Sequence, residues 1–285
     1  MNASTRLAAF GTGLAAALGI GALLGATVGP ATTTTPAEAP APVGEGVVAA
    51  VDGYRIIPAT TTLDPAGGNF RFVITDPGGH PQRRFTPIHG RDLHLIVVNR
   101  ELTSYHHVHP VLGPDGTWSI DLPALAAGSY RAVADFEVAG GPRLALGTDL
   151  GVAGAYAPGR LDDLPARTTV DGYDVTLAAT SGRGGVVAAT LVVRRNGRPV
   201  TDLQPYLGAR GHLVAMRAGD LAYAHVHPMT AGGGDVAGGT VRFDATLAAA
   251  GRYALFFDFK RAGTVRTAAF TFDQGSVTGT AEMEH

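Results

Sequence analysis

No cysteine occurs in the 285 residues, so disulfides, thiolate metal sites and cysteine nucleophiles are excluded. Charge of either sign is also scarce in excess: 22 Lys plus Arg against 24 Asp plus Glu leave a formal charge of -2. Without a basic footprint or an acidic tail the chain is not built to hold nucleic acid. Lys260 is the single lysine, a matter of genome composition that carries no functional weight. Several catalytic signatures are missing as well: a Gly-x-Ser-x-Gly elbow, a phosphate loop, a His-Glu-x-x-His helix and a pair of carboxylates suited to acid-base work. The expectation is a protein that binds rather than one that turns over a substrate. Helical periodicity is absent after residue 30.

What is present is all-β grammar. At 45% hydrophobic composition the chain can bury two cores. Its apolar runs are short and rich in Val, Ile, Leu and Phe, as in "FRFVIT", "HLIVV", "YRAVADF", "VAATLVV" and "YALFFDF". Gly, Pro, Asp and Asn punctuate them at the spacing of a sandwich or barrel. Phrases recur in order: "VDGY" at 51–54 and 170–173, "YHHVHP" at 105–110 and "YAHVHP" at 223–228, "LAAGSYRAVADF" at 125–136 and "LAAAGRYALFFDF" at 247–259. The Gly-x-Tyr opening a late strand matches the tyrosine corner of immunoglobulin-like sandwiches, with Tyr130 and Tyr253 in that role. The predicted architecture is two tandem immunoglobulin-like β-sandwiches, residues 47–156 and 169–275, joined by a linker at 157–168 and followed by a loose tail at 276–285.

The N-terminus differs in kind. Residues 7–28, "LAAFGTGLAAALGIGALLGATV", carry no charge and are long enough to cross a bilayer as a helix. They read as a signal peptide or an uncleaved membrane anchor within residues 1–30, with a Pro/Thr/Ala-rich tether at 31–46. Either reading places the rest of the chain outside the cytoplasm.

Three of the ten histidines lie within "YHHVHP". The pattern His-x12-His-x-His-Pro occurs twice at a constant offset of 118 positions: His94, His107 and His109, then His212, His225 and His227. If "HLIVV" and "YHHVHP" form a hairpin, strand alternation puts Tyr105, His107 and His109 on one face and His106 on the other. With an even-length loop centred on Arg100 and Glu101, His94 falls opposite His107 and diagonal to His109. Three imidazoles about 4.5–8 Å apart at Cβ can converge on one ion. Each copy is therefore expected to hold its own three-histidine site, for copper or zinc. Met216 is a further soft ligand on the face of His212, and Asp135 and Asp258 are candidates to orient imidazoles, with Tyr105 and Tyr223 beside them. His80 and His89 occur in copy one only, as accessory ligands or loop residues. The other reading leaves the histidines as core residues of a structural or interaction module.

The hairpin "HLIVVNRELTSYHHVHP" resembles a recurring segment of bacterial exported proteins, some of them linked to heavy-metal and copper handling. The architecture is similar in outline to small periplasmic copper carriers. The resemblance implies metal capture, buffering or delivery, a metal ion as ligand, and membrane and envelope proteins as partners. It differs from the cupin site, which also uses His-x-His on a β scaffold, because no glutamate follows the pair and the third histidine precedes it.

Overall fold

Runs of alternating apolar residues closed by Asp-Gly and Asn-Gly pairs should form tight hairpins, because both turn positions need a positive φ. They do: Asp52-Gly53, Asp171-Gly172 and Asn196-Gly197 all sit at positive φ. The computed structural model describes residues 45–161, 164–228, 239–247 and 249–275, without the side chains of 225, 227 and 228. The apolar N-terminal run, nearly all of the tether and the tail lie outside the described residues. Among the described residues no helix is long and apolar enough to cross a membrane.

Copy one supplies β1 (Ala50–Val51), β2 (Tyr54–Pro58), β3 (Thr62–Leu63), β4 (Gly68–Thr75), β5 (Phe85–Thr86) and β6 (Leu93–Asn99). It continues with β7 (Tyr105–Val108), β8 (Val111–Leu112), β9 (Thr117–Leu122), β10 (Gly128–Val138) and β11 (Arg143–Val152). Copy two supplies β12 (Arg167–Val170), β13 (Tyr173–Ser181), β14 (Val186–Arg195), β15 (Arg198–Pro199) and β16 (His212–Arg217). Its remaining strands are β17 (Tyr223–Pro228), β18 (Thr240–Thr246), β19 (Gly251–Arg261) and β20 (Thr264–Gln274).

In copy one the sheet β1-β2-β4-β9-β8 faces the sheet β3-β11-β10-β6-β7. Phe70, Phe72, Trp118, Leu95 and Phe136 fill the space between them. Copy two repeats the arrangement, except that β17 pairs with both β16 and β18 and so joins its two sheets. Phe243, Phe257, Phe259 and Phe270 dominate its core. The chain is thus two tandem immunoglobulin-like sandwiches. Both tyrosine corners form: Tyr130 donates its hydroxyl to the Ala126 carbonyl at 3.0 Å, and Tyr253 donates to that of Ala249 at 2.8 Å.

A third apolar cluster belongs to neither sandwich. Ile96, Val98, Val133 and Ala145 of copy one pack against Val214, Met216, Tyr223, Ala254 and Phe256 of copy two. Alternation explains how one strand serves two cores. Leu93, Leu95 and Val97 of β6 point into their own sandwich, which sends His94, Ile96 and Val98 into the seam between copies. Strand β16 does the same: Leu213 and Ala215 point inward, while His212, Val214 and Met216 face the seam.

The seam is also bonded across. Tyr105 donates to Asp258 Oδ2 at 3.3 Å and Tyr223 to Asp135 Oδ2 at 3.0 Å, a reciprocal exchange between copies. Tyr105 stacks on Phe256 with ring centroids 4.2 Å apart. The end of the tether is stitched between the sheets: Gly46 N donates to Ala145 O at 3.0 Å, and Glu45 O accepts from Tyr223 N at 2.8 Å. Residue 147 must be glycine here, since a Cβ would lie 1.8 Å from the Gly46 oxygen.

Phe256 is 3% exposed, and truncating a buried phenylalanine costs about 3–5 kcal/mol. Phe256→Ala is expected to lower the unfolding free energy of the full chain by that amount in urea titrations. A loss below about 1 kcal/mol would mean that the seam is not part of the cooperative fold.

Candidate metal centre

The hairpin β6–β7 pairs Ile96 with His107 and Val98 with Tyr105. That register is two residues from the expected one, so His107 lies opposite Ile96 and not opposite His94. The turn is longer than the spacing suggested: Asn99 Oδ1 accepts the backbone N–H of Thr103 and of Ser104, both at 2.8 Å, and Leu102 turns at φ 57°. Copy two shows the same shift, pairing Val214 with His225. A shift by two preserves parity, so His94, His107 and His212 stay on the face assigned to them. His106 lies on the other face, with its Nε2 3.4 Å from Ser104 Oγ.

That face is the seam, and this changes the partition of the site. His94, His107 and His212 each bring one ring nitrogen within 4.8 Å of the others. His212, expected in a separate second-copy triad, lies with the histidines of copy one. The first-copy histidines His94, His107 and His109 lie together as expected, and His212 joins them because the two histidine-bearing strands face each other. The side chains of His225 and His227 lie outside the described residues.

Hydrogen bonds decide which ring nitrogens carry the protons. His94 Nε2 lies 2.9 Å from the Ile88 carbonyl oxygen, which can only accept, so Nε2 carries the proton and Nδ1 a lone pair. His107 Nδ1 lies 3.1 Å from Asp258 Oδ2, so its proton sits on Nδ1 and its Nε2 carries the lone pair. His94 Nδ1 and His107 Nε2 are 3.0 Å apart. His109 Nε2 lies 3.3 Å from the same His94 nitrogen. His212 adds a buried Nδ1 with no hydrogen-bond partner among the described residues. Its ring is stacked on His94 at 6.0 Å and tilted against His107 at 4.8 Å. Lone pairs that face each other in a desolvated site are matched to a cation, and imidazole nitrogens suit zinc or copper.

Burial keeps the rings neutral. Desolvation, followed by the neighbouring His94, lowers His107 to about 3. Desolvation with His107 and His94 lowers His109 to about 3. His212 is pushed well down by burial and then by His107. Burial raises Asp258 to about 6. Its other oxygen accepts from Thr267 at 2.6 Å. Asp258 thus orients His107, as expected of a supporting carboxylate. Asp135 instead accepts a two-pronged contact from Arg143, at 3.2 and 2.9 Å, beside Tyr223. Met216 packs in the apolar seam with Val214 and Phe256.

One residue is more central than the sequence suggested. The His89 ring lies 6.2 Å from His94 and 6.1 Å from His212, nearly perpendicular to both. It is held at φ 50° in a turn whose second-copy counterpart, Leu207, turns at φ 52°. The only sequence signal was its closeness to His94. His80 pairs with Asp76 at 3.7 Å on the surface. His109 borders an open cavity of about 350 Å³ with Arg91, Asp92 and Trp118, which gives the cluster a solvent side.

The chain belongs to the family described as "Domain of unknown function (DUF8832)", whose pattern matches residues 49–148 and again 168–276. No curated protein matches it in sequence. Among solved structures it is similar to fibronectin(III)-like modules of Clostridium thermocellum CbhA, at 10% identity over 81% of this chain and 99% of that one, TM-score 0.24. It is similar to invasin, a bacterial integrin-binding protein, at 14% identity over 77% and 38%, TM-score 0.24. A tetra-tandem repeat from a large adhesion protein matches at 15% identity over 76% and 48%, TM-score 0.26. The chain spans less than half of the latter two, and likeness at such scores has no bearing on function.

Stability should fall with acid. His107 and His212 have depressed values when folded, so below the unfolded value of about 6.5 the unfolded chain takes up protons that the folded chain refuses. Asp258 has the opposite sign and stabilises as pH drops below 6, which offsets part of the loss. His109 adds to the loss at a discount for its partial exposure, so the net expected change from pH 7.5 to 5.5 in metal-free protein is a loss of about 2–3 kcal/mol, read from urea midpoints. Constant or rising stability over that range would show that the imidazoles are not buried neutral.

Proposed function

We propose that this member of the DUF8832 family is a non-catalytic, extracytoplasmic metal-binding protein that holds copper or zinc between its two sandwiches. The observation that supports this reading is the convergence of one ring nitrogen each from His94, His107 and His212 within 4.8 Å, with His94 and His107 oriented by bonds to Ile88 and Asp258. His212 is the ligand contributed by copy two, and His109, on the solvent side, is the first to meet an incoming ion. The ion would replace no proton, since the rings are already neutral, and it would tie the copies together. Capture or buffering suits such a buried site better than turnover, which needs an open coordination position. The apolar run at 7–28 supports a location outside the cytoplasm, where the partners would be the membrane and other envelope proteins.

A second reading has its own support: His94 is 3% and His212 7% exposed, as buried as apolar core. In that reading the cluster only joins the copies of an envelope interaction module.

Titration of the untagged full chain with Cu(II) and Zn(II) against a competing chelator separates the two. The metal reading expects close to one equivalent per chain, lost in His94→Ala and in His212→Ala alike. Saturation at 100 times Kd should then raise stability by about 2.7 kcal/mol. Failure to retain metal, with the same variants merely less stable, would leave the structural reading. Two equivalents would overturn the shared site.

A further inference from the structure

The repeated phrase "VDGY" is used neither by the histidines nor by the seam. In each copy Asp-Gly makes a tight turn at positive φ, with Asp171 at 47° and Gly172 at 75° in copy two. The turn pairs Val170 with Tyr173 and delivers the tyrosine to the end of the sandwich. Tyr173 is 1% exposed, and three guanidiniums surround its ring: the Cζ atoms of Arg195 and Arg266 lie 4.9 Å from the centroid and that of Arg261 5.8 Å. Its hydroxyl oxygen accepts from Arg195 Nη1 at 3.1 Å and from Arg261 Nη1 at 3.0 Å.

Three cations around one ring repel each other, and only part of that charge is answered locally. Asp202 accepts from Arg261 at 2.8 and 3.2 Å, and Asp171 from Arg266 at 3.0 Å. Arg195 has no carboxylate partner among the described residues. Arg198, across the Asn196-Gly197 turn, has no side-chain hydrogen bond there at all. Arg195, Arg198 and Arg261 line one open cavity of about 680 Å³ together with Thr201 and Asp202. Each guanidinium has five N–H donors, so Arg195 keeps most of its own for a ligand while Tyr173 holds its orientation.

Copy one supplies an internal contrast. Its cavity beside Tyr54 is smaller, about 440 Å³, and is lined by Arg83 and Arg84 but also by Asp76. The register that pairs Tyr173 with Arg195 brings Asp76 to that place in copy one, where Arg55 pairs with Thr75. A carboxylate thus stands where copy two has the uncompensated guanidinium. The two copies share the turn and the tyrosine, and opposite that tyrosine one carries a guanidinium, Arg195, and the other a carboxylate, Asp76.

We infer that the groove beside Tyr173 is an oxyanion site, taking a phosphate- or carboxylate-bearing ligand on Arg195 and Arg198. Planar guanidiniums give two-pronged contacts to either group, and the pre-set tyrosine contact reduces the ordering cost of binding. This inference does not depend on the metal reading. The ligand is either a free small anion or a group repeated along a polymer, and the two sources differ in how binding grows with the number of anions.

The test is calorimetry on the full chain with inorganic pyrophosphate and with long-chain polyphosphate at low salt. Arg195→Gln/Arg198→Gln is compared with Arg55→Gln/Arg71→Gln, which removes the same charge from exposed strand positions of copy one. One equivalent of pyrophosphate is expected, weakened about tenfold or more by the first variant and little by the second. Binding of polyphosphate alone, with the same variant sensitivity, assigns the site to a polymer. Equal losses in both variants would reduce the effect to net charge and overturn the inference, as would no binding of either probe. Matching thermal melts of the two variants exclude misfolding as the cause.

Discussion

The burial of one apolar sheet face against another, copy against copy, is the constraint on which the histidine centre depends. Ile96, Val98, Val133, Val214, Met216 and Phe256 leave water only because the two sheets meet, and each large apolar side chain buried in this way contributes about 1.5–3 kcal/mol. His94 and His212 begin the strands of Ile96 and Val214 and are carried into the seam with them. Desolvation then makes them neutral, and neutral imidazoles are the ones that can ligate a metal. Packing, protonation and ligand competence at this site are one chain of cause.

The seam is symmetric in plan and asymmetric in chemistry. Tyr105 reaches Asp258 as Tyr223 reaches Asp135, which is the signature of a duplicated domain docked on its own copy. The surroundings of the two carboxylates have diverged. Asp135 is neutralised by Arg143, whereas Asp258 is held by Thr267 and by His107. His89 has Leu207 as its counterpart. His94, His107, His109 and His212 gather in the seam, with Asp258 bonded to His107. The arginine groove follows the same rule, since Arg195 stands opposite one turn tyrosine and Asp76 beside the other.

Much of this was legible. Period-two alternation and the Asp-Gly and Asn-Gly pairs specify strands and hairpins locally, and Gly-x-Tyr located both tyrosine corners. The faces of His94, His106, His107 and His212 followed from parity alone. The register did not, because Asn99 folds back on Thr103 and Ser104 and lengthens the turn by two residues. Nothing in "NRELTS" announces that bond, since asparagine side chains cap many kinds of turn. Met216 shared the face of His212 as reasoned, but that face proved to be apolar packing at the position of the sulfur.

By itself the sequence determined an all-β chain in two copies, the histidines that share a strand face, and the lack of any thiolate to compete with them. Only the tertiary structure decided which histidines meet. A repeat at constant offset predicts equal copies but is silent on whether their faces oppose, because docking depends on contacts more than a hundred residues apart. The run "LHLIVV" is apolar on both faces for this reason: one face serves its own core and the other serves the neighbouring copy. His94 therefore finds His212, a partner that spacing within either copy could not supply.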